Sequence, residues 1–109
     1  MGKQTAKIFV KVHEFVKKIP KGQVTTYGWV GRQVGVSPRV VGWALHGNKD
    51  PQISCHRVVN REGRVAVNYA FGGGGEQKKK LLLEGVTFVD ATHVDLEKNI
   101  WEDMGKNGD

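Results

Sequence analysis

Residues 25–47 read TTYGWVGRQVGVSPRVVGWALHG, and this stretch decides the fold. Thr25-Thr26 offers a side-chain oxygen to cap a helix that starts at about Tyr27, and Gly35 stops that helix after Val34. Ser37-Pro38 opens a second helix, with Ser as its cap and Pro at the first helical position, where a missing N–H costs nothing. That helix is expected to run to His46, with Gly47 just past its end. Two short helices joined by Gly35-Val36-Ser37 have the spacing of a helix-turn-helix, in which the second helix does the recognition. On this second helix Val41, Ala44 and Leu45 face the core. Arg39, Trp43 and His46 fall at i, i+4 and i+7 on another face. A cation, an indole and an imidazole on one exposed stripe suit contact with DNA.

Moving outward, Ile8, Val12, Phe15 and Val16 form the apolar face of a helix over 5–18, which Pro20 and Gly22 end. On the other side, 53–59 and 64–67 read as two strands joined by a turn at 60–63, a hairpin placed like the wing of a winged-helix domain. The glycine run 72–75 precedes a helix over 76–83 with Gly85 as its stop. Residues 86–94 are expected to add a short strand, and Ile100-Trp101 to fold back onto the body. The expected fold is α+β and mainly helical: a winged-helix-like DNA-binding domain with a helix-turn-helix and a small hairpin. It would occupy residues 1–104 as one domain, with 105–109 as a disordered tail.

The chain has 109 residues, enough for one modest core, and carries a net charge of +6. That charge is uneven: residues 1–80 hold 15 Lys/Arg against four acids, whereas 81–109 hold two Lys against seven acids. A basic body of this kind attracts polyanions. No apolar run approaches the roughly 20 residues of a membrane span. No secretory signal precedes the first helix, and a single cysteine forms no internal disulfide. A cytoplasmic protein is therefore expected, nucleoid-associated if prokaryotic, with no membrane partner.

The chemistry concentrates in Ile53-Ser54-Cys55-His56-Arg57-Val58-Val59. A thiolate is the reactive form of cysteine, and His56 is an adjacent base while Arg57 adds positive charge. Neighbouring side chains of a regular strand point to opposite faces, so a Cys55–His56 dyad needs a turn here or a bridging water. A carboxylate behind the imidazole would fix its tautomer. His13, His46 and His93 show no ligand spacing with this pair, so no metal site is expected.

These residues, with Ile19-Pro20-Lys21-Gly22-Gln23-Val24-Thr25-Thr26-Tyr27-Gly28, Arg39-Val40-Val41-Gly42-Trp43-Ala44-Leu45, Gly47-Asn48 and Leu82-Leu83-Glu84-Gly85-Val86, resemble the active-site domain of 6-O-alkylguanine-DNA alkyltransferases and the related alkyltransferase-like proteins. The resemblance runs from about Phe9 to Val86. It implies Cys55 as the nucleophile that keeps the alkyl group, His56 as its base through a water, and Glu84 behind the histidine. Asn48 would link the recognition helix to the active-site loop, and Tyr27 would donate to the flipped guanine. Arg39 would enter the duplex and fill the gap left by that base. Trp43, Thr26, Ser37 and His46 complete the expected DNA-binding set. Tyr27, Val58, Tyr69 and Phe71 are the expected lesion-pocket residues, with Tyr69 and Phe71 competing for the pocket wall and the Val58 carbonyl accepting from the guanine amine.

Guanine O6 lies inside the base stack, so chemistry on its alkyl group requires flipping the base into a pocket. The resemblance implies a single-turnover methyltransferase acting as a monomer on double-stranded DNA that contains 6-O-alkylguanine, with no cofactor. The alternative it implies is a lesion sensor that recruits nucleotide excision repair proteins. Ser54 stands where the family has proline, and Trp43 is bulky for its place.

Overall fold

The computed structural model describes residues 3–67, 69 and 71–101. The tail expected at 105–109 lies outside the described residues. In chain order the elements are α1 (Lys3–Val16), β1 (Thr25–Thr26), α2 (Tyr27–Val34), α3 (Pro38–His46), a single 3-10 turn (Cys55–Arg57), β2 (Val58–Val59), α4 (Gly73–Leu83) and α5 (Leu96–Asn99). The architecture is α+β and mainly helical, with one two-stranded sheet.

Local chemistry sets the two central helices. The Thr26 hydroxyl accepts from the Trp29 amide at 3.1 Å, and Ser37 Oγ accepts from the Val40 amide at 3.3 Å. Each cap satisfies an amide that the helix itself cannot. Gly35 ends α2 at φ +85°, a conformation costly for any residue with a Cβ. The turn to α3 is tight, because Gly35 and Val36 amides both donate to the Gly31 carbonyl, at 2.7 and 2.9 Å.

Beneath α1, α2 and α3 lies a core that includes Val12, Val16, Val30, Val41 and Leu45, closed by Ile53, Cys55 and Val58. A second core, formed by Val24, Val59, Val65, Leu81, Val86 and Val94, sits on the α4 side. Ile100 and Trp101 fold back as expected. The Val24 amide donates to Asn99 O at 2.9 Å, the Trp101 amide donates to Val24 O at 2.7 Å, and the Trp101 ring packs 5.7 Å from Phe15.

The expected hairpin is not formed. Residues 55–57 coil into the 3-10 turn, and β2 pairs in parallel with β1, Thr25 opposite Val58 and Thr26 opposite Val59. Arg64 bridges His93 instead. The reason is visible in the side chains. Val58 and Val59 are consecutive and both fully buried, so this strand is covered on both faces and cannot serve as a half-exposed wing. The intervening turn does form, with Asn60 Oδ1 accepting from the Glu62 and Arg64 amides, each at 2.8 Å.

In place of the expected strand, residues 86–94 make the isolated Phe88–Val94 bridge and, through His93, the bridge to Arg64. Helix α4 starts at Gly73, earlier than expected, and α5 was not anticipated at all. Among the described residues no helix is long and apolar enough to cross a membrane.

Candidate active site

Cys55 opens the 3-10 turn, and this turn answers the geometric problem of a Cys-His pair on a strand. Among the described residues no hydrogen bond joins Cys55 to His56; the turn instead delivers each to its own partners. The Asn48 amide donates to Cys55 Sγ at 3.1 Å and to Asp50 O at 2.9 Å, while its oxygen accepts from the Asp50 amide at 3.0 Å. Asn48 thus ties the end of α3 to the thiol. The Leu45 carbonyl lies 3.9 Å from Sγ. Burial pushes the Cys55 thiol up from its ordinary value, and the Asn48 donor opposes this.

His56 Nε2 sits 2.8 Å from Glu84 Oε2. Arg57 grips the same carboxylate with both arms, Nε to Oε1 at 2.9 Å and Nη2 to Oε2 at 2.7 Å, and its Nη1 donates to Ile19 O at 2.7 Å and to Ser54 Oγ at 3.2 Å. Burial alone would raise the Glu84 carboxyl. The hydrogen bonds from Arg57 and His56 together outweigh it and bring the group down to about 2. Glu84 is therefore an acceptor only, and His56 must carry a proton on Nε2. Its Nδ1 is left as the basic nitrogen. Burial lowers the His56 imidazole, against the pull of Glu84, so it is neutral and able to take a proton.

A cleft of about 650 Å³ opens above the thiol. Of the residues expected at the site, Tyr27, Arg39, Trp43, His46, Cys55 and Tyr69 line it. Trp43 is 59% exposed, so its indole faces the cleft and solvent rather than the core. Tyr27 is pushed up to about 12 by burial and by the nearby thiol, and stays a protonated donor.

Tyr69, 8% exposed, forms wall; Phe71 packs behind it at 5.7 Å between ring centroids. Val58 is fully buried, with its carbonyl accepting from Gln77 at 3.0 Å. Thr26 and Ser37 spend their oxygens on helix caps and do not line the cleft. His56, Asn48 and Glu84 stand behind Cys55, outside the cleft lining.

Sequence reasoning missed several participants. Gln77 is fully buried; its amide donates to His56 O and Val58 O, both at 3.0 Å, and its oxygen accepts from the Ala66 amide at 2.7 Å. The i, i+4 spacing from Gln77 to the buried Leu81 was a legible sign that it faces inward. Arg57 had been read only as added charge, and nothing local marks it as the clamp on a residue 27 positions away. Arg61 and Arg64 line the cleft opposite α3, and Lys80 donates to Tyr69 Oη at 2.8 Å.

Comparison with known proteins adds a family. The profile of the 6-O-methylguanine DNA methyltransferase DNA-binding domain matches residues 7–86. Alkyltransferase-like protein 1 of Schizosaccharomyces pombe is 34% identical over 101 residues, covering 90% of this chain and 94% of its own. A methylated-DNA–protein-cysteine methyltransferase of Thermococcus gammatolerans is 46% identical over 79 residues, covering 70% of this chain but only 43% of its own length. The solved structure of S. pombe Atl1 in complex with damaged DNA containing O6-carboxymethylguanine superposes with a TM-score of 0.80 at 30% identity, over 89% of this chain and 96% of that one.

Proposed function

Because the chain belongs to the 6-O-methylguanine DNA methyltransferase family, we propose that it binds duplex DNA through α2 and α3, receives a flipped 6-O-alkylguanine in the cleft, and takes the alkyl group onto Cys55. The observation that carries this reading is a cleft-lining thiol that receives an oriented donor from Asn48, beside a His56 held by a Glu84 carboxylate that is locked as an anion.

In the proposed step His56 Nδ1 takes the thiol proton through a bridging water. Sulfur attacks the alkyl carbon, an S–C bond forms, and the C–O6 bond breaks. The electron pair returns to the purine, which regains one proton. Tyr27, still protonated, donates a hydrogen bond as that negative charge develops. Glu84 remains charged and stabilises the imidazolium. Arg39 fills the vacated place in the base stack. The protein acts once per lesion.

The test is the intact mass of the protein after mixing with a duplex carrying 6-O-methylguanine. A gain of one methylene, absent in Cys55→Ser, is expected. Tight lesion binding without a mass change would sink the transfer. A second reading, a sensor that holds the lesion and recruits nucleotide excision repair, is favoured by the match over nearly the whole length of alkyltransferase-like protein 1.

A further inference from the structure

The wall of the cleft contains a polar pair that the reaction as described does not use. Lys80, on α4, places its ammonium 2.8 Å from Tyr69 Oη, 5.2 Å from the Tyr69 ring centroid and 4.9 Å from that of Phe71. Two aromatic faces and a phenol oxygen hold this cation, and among the described residues no carboxylate pairs with it; the nearby Glu76 pairs with Lys79 at 3.4 Å. An ammonium has donors and no acceptor. The Tyr69 oxygen must therefore accept from Lys80, and its own O–H is not used in that bond. Among the described residues this O–H meets no acceptor, although Tyr69 is buried and lines the cleft beside Cys55. A buried phenol whose donor meets no acceptor among the described residues is poised for one brought by the ligand.

Resting on the function proposed above, we propose that Tyr69 and Lys80 form a second donor pair for the guanine. Lys80 occupies the phenol oxygen and turns the O–H into the cleft, where it donates to an acceptor on the purine edge. Tyr69 is then a catalytic residue that touches the base, and Lys80 a positioning residue that acts through it. Lys80 also sharpens the donor. Burial raises the Tyr69 phenol, Lys80 opposes this by its hydrogen bond and its charge, and Cys55 and Glu76 add weaker upward pushes. As C–O6 breaks, the growing negative charge on the purine meets a phenol backed by a cation.

The experiment uses Tyr69→Phe, Lys80→Met, the double variant and Lys80→Arg, each checked for wild-type melting. Single-turnover transfer from 6-O-methylguanine duplex should slow roughly tenfold in Tyr69→Phe and in Lys80→Met. The double variant should be no slower than Tyr69→Phe alone, and Lys80→Arg should recover most of the rate. Equal rates in Tyr69→Phe and wild type, or losses that multiply in the double variant, would overturn the pair.

The chain has two tyrosines, so in a Tyr27→Phe background the ultraviolet titration reports Tyr69 alone. Lys80→Met should move that titration upward, a change that a purely structural lysine would not produce, and an unmoved titration counts against the proposal. If the wild type adds no mass, transfer fails by itself, and the pair is judged by binding. Tyr69→Phe and Lys80→Met should then lose preference for the 6-O-methylguanine duplex over an unmodified one, and a preference retained in both refutes the pair.

Discussion

Four hydrogen-bond donors surround the Glu84 carboxylate: His56 Nε2, Arg57 Nε and Nη2, and the Gly22 amide at 3.4 Å. A carboxyl that is more acidic folded than unfolded stabilises the fold fully above its ordinary value of 4.5, and that contribution disappears as pH falls toward about 2. The expected loss across this window is roughly 1–3 kcal/mol, and urea denaturation at stepped pH measures it. Arg57→Met should return the Glu84 titration, followed by carbon NMR, toward 4.5 and lower stability at neutral pH by about 2–4 kcal/mol. At this scale Cys55 and His56 were legible as candidates, because reactive side chains declare their chemistry wherever they sit. The clamp on Glu84 was not, because Arg57 finds its partner across the fold. Ser54 stands where the family has proline. Its φ of −78° lies within proline's range, and its hydroxyl accepts from Arg57.

Helices α2 and α3 were readable almost to the residue, since caps, Pro38 and Gly35 are local signals that need no tertiary knowledge. The joint between them rests on Gly31. A Cβ there would run into the Val36 carbonyl oxygen, whose peptide forms the turn. Gly31→Ala should cost about 1–3 kcal/mol by overpacking and lower the melting temperature more than Thr26→Ala, which removes a single cap worth about 1 kcal/mol. The sheet was misread for the opposite reason. Nothing near Val58-Val59 in the chain indicates that the partner is Thr25-Thr26, and the Asn60–Gly63 turn signal points to the adjacent segment instead. Parallel pairing across more than thirty residues is a property of the packed core, decided by burial on both faces of β2.

Over the whole molecule, the cationic groups lining the cleft are Arg39 on one side and Arg61 and Arg64 on the other, with no carboxylate among the lining residues. The Arg61–Arg64 turn is stiff, closed by the Asn60 side chain and by Gly63 at φ +91°. Replacing Arg61 and Arg64 together with Ala should weaken binding to damaged and undamaged duplex alike, and reduce the slope of log K against log salt by about 1–2. Arg39→Ala should act differently, losing lesion binding and transfer together while general affinity changes less. Filter binding across a salt series separates the two.

The return of the chain to Val24 has a further consequence, in time rather than in energy. Residues 24–26 are held on one side by 58–59 and on the other by 99–101. A segment locked from both flanks cannot open by fraying, so its amide protons should exchange with deuterium only when the entire domain unfolds. The Val24 and Trp101 amides then serve as a clock for global opening. A chain cut before Asn99 loses the Trp101 amide and the acceptor of the Val24 amide, so its Val24 amide should exchange fast by local opening, even with every residue of the cleft intact.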